Sequence, residues 1–71
     1  MVEFELLNTI KVERAKRNMS QAELALQIGV SRKTINTIET GKFVPSTITA
    51  MRIAQAFDVN VEQIFTLISK K

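Results

Sequence analysis

The chain has 71 residues, 45% of them hydrophobic, with ten lysines and arginines against seven acids and a net charge of +3. That length allows one domain, spanning residues 1–71, near the lower limit for folding without staples, and the apolar content excludes a disordered chain. Cysteine and histidine are both absent, which removes disulfides, thiolate metal sites and the commonest general base and metal ligand together.

The first residues, Val2-Glu3-Phe4-Glu5-Leu6, alternate as a strand would. One short strand needs a partner, so this extended segment is expected to be a frayed lead-in rather than a pairing segment. Helices are expected at roughly 7–17, 21–28, 32–40, 47–57 and 61–68. Three of their starts share one pattern, an apolar residue before a capping residue and another apolar residue five positions on. The sets are Met19-Ser20-Leu24, Val30-Ser31-Ile35 and Val59-Asn60-Ile64, each a cap inside a hydrophobic staple, with Ser20/Glu23 and Asn60/Gln63 as capping-box partners. Pro45-Ser46 marks the fourth helix start. Gly29 and Gly41 fall where left-handed helix ends are expected. The inward set is Ile10, Leu24, Ala25, Ile28, Val30, Ile35, Ile38, Ala50, Ile53, Ala54, Phe57, Val61, Ile64 and Phe65. Short connections between such helices predict a compact all-α domain of five helices.

Within it, helices two and three, residues 21–40, form a distinct unit. Gly29 permits a sharp turn, Ala25 allows a close crossing, and Ile28, Val30, Ile35 and Ile38 supply a shared apolar seam. Two short helices joined this way make a helix-turn-helix, whose second helix can enter the DNA major groove. On the third helix, Arg32, Lys33, Asn36, Thr37 and Thr40 fall within an arc of about 140°, opposite Ile35 and Ile38. That arc carries positive charge and hydrogen-bonding groups and no carboxylate. Arginine or lysine can donate to guanine, asparagine can pair with adenine, and threonine can offer a hydroxyl or meet a thymine methyl.

The charge distribution points the same way. From Asn8 to Lys42 there are seven bases against three acids, whereas the remainder holds three bases and four acids. Such asymmetry suits a polyanionic partner; a basic surface kept for solubility is the alternative. No apolar run reaches the length of a bilayer span and no signal-peptide pattern opens the chain. A cytoplasmic protein without membrane, cofactor, metal or small-molecule partner is expected.

The segments "MSQAELALQIGVS", "RKTINTIETGKFVPS" and "AFDVNVEQIF" together resemble the phage repressor and Cro-like helix-turn-helix family of prokaryotic transcription regulators, also called the xenobiotic-response-element family. The resemblance implies a lambda-repressor-like five-helix fold, and in many members an operator-bound dimer. It implies that Arg32, Lys33, Asn36 and Thr37 read bases or their flanks, and that Gln21, Ser31, Thr34 and Lys42 touch phosphate. It also implies an ion pair, Arg14–Glu39, between helices one and three. Departures stand at Val12 and Glu13, and at Thr47, Ile48 and Thr49, which put the orientation of helix one and the packing of helix four in question.

The expected function is sequence-specific binding of double-stranded DNA, as a homodimeric repressor on a two-fold symmetric operator. Its expected dimer contact is the C-terminal helix and its approach, residues 59–69, through Val61, Phe65, Leu67 and Ile68. A protein-interaction adaptor, or an antitoxin-type module, could use the same fold. Enzymatic function is not expected, because no histidine, cysteine, glycine-rich phosphate loop or carboxylate pair is available.

Overall fold

The computed structural model describes residues 3–70. In chain order the elements are β1 (Glu3–Asn8), α1 (Ile10–Lys16), α2 (Gln21–Ile28), α3 (Arg32–Glu39), α4 (Thr47–Phe57), α5 (Val61–Ile64) and β2 (Phe65–Lys70). The middle three helices match the sequence reading to within a residue. The ends do not: the chain is a helical domain carrying a two-stranded antiparallel sheet, not a purely all-α fold.

The lead-in expected at the N-terminus is instead a paired strand. β1 runs antiparallel to β2, with Leu6 opposite Leu67, Asn8 opposite Phe65 and Glu3 opposite Lys70. Helix one therefore begins at Ile10 rather than at residue 7, and helix five ends at Ile64 rather than at residue 68. The cause is tertiary. Phe65-Thr66-Leu67-Ile68 is as suitable for a strand as for a helix turn, and its partner lies some sixty residues away, so no local signal announces the ladder. Val2, part of the alternating stretch, lies outside the described residues.

Every buried apolar residue comes from the expected inward set: Ile10, Leu24, Ala25, Ile28, Ile35, Ile38, Ile53, Ala54, Phe57, Ile64 and Phe65. Val30, Ala50 and Val61 pack against that cluster as half-buried neighbours. Each fully buried isoleucine or phenylalanine contributes about 1.5–3 kcal/mol over an exposed one, so this set carries most of the folding drive of a small domain.

The caps set the helix boundaries. Ser20 Oγ accepts the Glu23 N–H at 3.0 Å while Glu23 Oε1 accepts the Ser20 N–H at 2.7 Å, closing a reciprocal box at the start of α2. Ser31 Oγ accepts the Thr34 N–H at 3.1 Å, and Ser46 Oγ the Thr49 N–H at 3.1 Å. At α5 the Asn60 N–H donates to Gln63 Oε1 at 2.8 Å. Gly29 ends α2 at φ +77°, and both its own N–H and that of Val30 reach the Ala25 carbonyl, at 2.9 and 3.0 Å.

The sheet is tied to the helices by Asn8. Its amide donates to the Ile38 carbonyl in the last turn of α3 at 3.0 Å, and its Oδ1 accepts the Ile10 N–H at 3.1 Å. One side chain thus covers an open carbonyl of α3 and an open N–H of α1. Helix one keeps its expected orientation despite the departures at Val12 and Glu13: Val12 is exposed, Ile10 is buried and Arg14 is largely covered. Glu13 instead pairs with Arg17 at 2.8 Å, and Arg17 lies over the Phe57 ring and donates to the Phe57 carbonyl at 2.8 Å. Arg17 thus locks α1 to the end of α4.

Candidate nucleic-acid interface

The buried side of α3 is short and strongly apolar. Ile35 and Ile38 are buried, one helical turn apart, while Arg32, Lys33, Asn36 and Thr40 are exposed. With only three residues between α2 and α3, and Gly29 taking the left-handed turn, α3 lies across α2 with its polar arc turned to solvent. The covering of these residues by the protein's own chain, which would exclude any groove contact, does not occur.

Glu39 is the one carboxylate of α3, and its charge is held inward. Arg14 Nε lies 2.6 Å from Glu39 Oε2, and Arg14 Nη2 donates to Glu39 Oε1 at 3.1 Å. The side chains are only 14% and 6% exposed. Arg14 Nη1 also donates to the Met19 carbonyl at 2.9 Å. This bidentate pair fastens α1 to α3 and neutralises the negative charge beside the polar arc.

Gln21 joins the pair to that arc. Its Nε2 donates to Glu39 Oε1 at 3.0 Å and to Asn36 Oδ1 at 3.3 Å, and its Oε1 accepts from Arg32 Nη1 at 3.2 Å. A continuous chain of hydrogen bonds therefore runs from the scaffold ion pair through Gln21 to Arg32 and Asn36. Long side chains lose less freedom on binding when they are already held. Sequence spacing alone does not reveal this link, because Gln21 and Asn36 sit on different helices.

At the start of the helix, Ser31 is exposed and caps α3, while Thr34 is half-buried with its hydroxyl 2.9 Å from that of Ser31. Thr37 is half-buried and its hydroxyl donates to the Thr34 carbonyl at 2.9 Å, so that hydrogen is already engaged. Lys33 and Lys42 form no ion pair among the described residues. A cleft of about 350 Å³ lies between Ser31, Lys33, Thr34, Thr37, Lys42 and Phe43. Phe43 lies outside the polar arc that the sequence shows; its advance signal is a large apolar residue in a loop between Gly41 and Pro45.

The C-terminal residues expected at a dimer contact are dispersed. Phe65 is a core residue, Val61 is half-buried on α5, and Leu67 and Ile68 stand exposed on β2. They share no helical face, because the chain becomes extended at Phe65 (φ −111°, ψ 132°).

A capped two-helix unit whose second helix turns an acid-free polar arc outward defines a helix-turn-helix DNA-binding domain. The helix-turn-helix family model matches residues 10–64. A helix-turn-helix-type transcriptional regulator of Methanocaldococcus jannaschii is 48% identical over 82% of this chain and 88% of its own length. The regulator YgzD of Bacillus subtilis is 40% identical over 84% and 91%. Among solved structures, a candidate DNA-binding protein from Bacteroides fragilis superposes with a TM-score of 0.77 at 31% identity, over 86% of this chain and 98% of that one. The restriction-modification controller protein C.AhdI from Aeromonas hydrophila shares the fold, with a TM-score of 0.72 at 24% identity over 76% and 82%. The chain belongs to the Cro/C1-type helix-turn-helix family of DNA-binding transcriptional regulators.

Among the described residues no helix is long and apolar enough to cross a membrane, and no group of three or more acidic residues could hold a metal ion.

Proposed function

We propose that this regulator binds a specific double-stranded sequence as a homodimer and represses by occupying a two-fold symmetric operator. The observation that carries the reading is the α3 surface. Its cations and amide face solvent, its one carboxylate is neutralised by Arg14, and Gln21 holds Arg32 and Asn36 in a common network. In this reading Arg32, Lys33 and Asn36 meet base edges, with Thr37 beside them. Gln21, Ser31, Thr34 and Lys42 set the register on the phosphates. An adaptor would have no reason to keep acids off this face.

In this reading the dimer contact is the groove between α4 and α5, which includes Val61 of the expected set, with the exposed Leu67 and Ile68 of β2 as the alternative contact. This groove of about 560 Å³ is lined by Ile48, Met51, Val59 and Val61 and by the charged Arg52 and Asp58. Ile48 and Met51 are 71% and 57% exposed, which is costly for a monomer and ordinary for the core of an interface. A two-fold contact makes residue i of one copy face residue j of the other and the reverse, so Arg52 and Asp58 can pair twice across it.

Selection of bound duplexes from a random pool tests the whole reading, with a two-fold symmetric consensus as the expected result. On that consensus, Asn36→Ala is expected to relax preference at one or two positions at a cost of about 1–3 kcal/mol. Gln21→Ala is expected to weaken all sequences. Affinity for DNA that does not fall with salt would refute groove binding. Sedimentation of only the 8.0 kDa species on operator DNA would refute the dimer.

A further inference from the structure

The cleft beside the recognition helix has two chemically different kinds of lining. Lys33 and Lys42 line it together with the Ser31 and Thr34 hydroxyls. Those hydroxyls share one hydrogen bond of 2.9 Å, so one of their two hydrogens stays available to an incoming oxygen. The Phe43 ring lines it too, 52% exposed and outside the hydrophobic core.

The main chain that carries the ring is tied to the helix. The N–H groups of Lys42 and Phe43 both donate to the Thr37 carbonyl, at 2.9 and 3.2 Å. Gly41, at φ +77°, turns the chain so that this can happen. The loop is therefore a continuation of the α3 surface. Thr37, also in the lining, has its hydroxyl hydrogen committed to the Thr34 carbonyl and offers no donor there. An inorganic anion or a carboxylate would use only the cations and the hydroxyl and leave the ring in water. A nucleotide of a DNA backbone has both characters at the matching scale, an anionic phosphodiester joined to the C–H face of a deoxyribose.

We propose that this cleft seats one backbone nucleotide of the bound duplex, its phosphate against Lys42 and the free hydroxyl hydrogen, its deoxyribose against the Phe43 ring. The assignment rests on the DNA-binding reading above and adds a sugar contact to it. Phe43 is then an anchoring residue that favours DNA regardless of base sequence, acting by excluding water rather than by charge.

The test is fluorescence anisotropy of the full chain on a labelled selected duplex and on an unrelated duplex, each across a salt series, with circular dichroism melts as the folding control. Covering the exposed half of a phenylalanine corresponds to about five- to tenfold in affinity. Phe43→Ala is expected to lose that much on both duplexes with an unchanged salt slope, and Phe43→Tyr to stay within about twofold of the parent. Lys42→Gln is expected instead to reduce the salt slope by about 1. Phe43→Gln, which removes the ring but keeps a solvated side chain, replaces the alanine variant if that one melts early. Binding by either ring-less variant within twofold of the parent overturns the proposal, as does a loss confined to the selected duplex, which would mean a base contact. Failure of the parent protein to bind duplex DNA is a separate result that removes the DNA reading itself.

Discussion

Removal of the Glu39 carboxylate is the perturbation whose consequence can be worked furthest. In the native protein it accepts from Arg14 at 2.6 and 3.1 Å and from Gln21 at 3.0 Å. Glu39→Ala leaves a guanidinium whose side chain is only 14% exposed with a single remaining acceptor, the Met19 carbonyl at 2.9 Å. Breaking a fully buried pair costs about 3–5 kcal/mol; the surviving Met19 bond and residual exposure place this case near about 3 kcal/mol. A domain of this size has only about 4–11 kcal/mol in total, so the variant should melt about 12–24 °C lower. The chain has no tryptophan or tyrosine, so urea unfolding should be followed by far-ultraviolet circular dichroism. The double variant Arg14→Met with Glu39→Leu removes both charges and should recover much of the loss. A Glu39→Ala loss below about 1 kcal/mol would refute the argument that an orphaned cation drives the cost. So would a double variant no better than the single one.

Three further outcomes follow from other parts of the fold. Gly29→Ala should cost about 1–2 kcal/mol from the left-handed backbone alone. The new Cβ would lie 3.7 Å from Arg52 Nη1, an ordinary contact, so steric clash adds little; a neutral effect in urea melts would contradict this. Phe65→Ala should cost about 3–4 kcal/mol, and by the same amount at every protein concentration, because Phe65 lies in the core; a loss that grows on dilution would return it to an interface. Acid should destabilise the fold. The Glu13 carboxyl is held below its ordinary value of 4.5 chiefly by its hydrogen bond from Arg17, and that of Glu23 chiefly by the Ser20 N–H. A folded value below the unfolded one gives stability that is complete above about pH 4.5 and lost as pH falls through the folded values. Glu23→Gln should therefore flatten the acid limb of the stability profile measured by urea titration, and an unchanged limb would exclude this cap as a contributor.

Much of the DNA-facing unit was readable along the chain because its determinants are local. A capping serine, a staple and a glycine act within one or two helical turns, so Met19-Ser20-Leu24 and Val30-Ser31-Ile35 mark the starts of α2 and α3 to the residue. The wheel positions of Ile35 and Ile38 settle which side of α3 turns inward, since a helix with two adjacent isoleucines has only one side it can bury. By the same logic Phe65 is inward in either geometry, and it is buried although it lies in a strand rather than in the expected helix.

What the tertiary structure alone decided are the relations between residues far apart in sequence. β1 and β2 each look ambiguous in isolation; their ladder exists because the two ends of the chain meet over the core, and the gain from pairing belongs to neither segment by itself. Arg17 reads as surface charge until α4 brings the Phe57 ring and carbonyl to it. Gln21 reads only as a phosphate contact until α3 crosses α2 and makes it the link between the Glu39 pair and Asn36. Local sequence dictates where helices begin, end and turn their apolar side, because those energies act over a few residues. Which polar groups then share a hydrogen bond is set by how the helices cross, and that geometry comes into being only when the core closes.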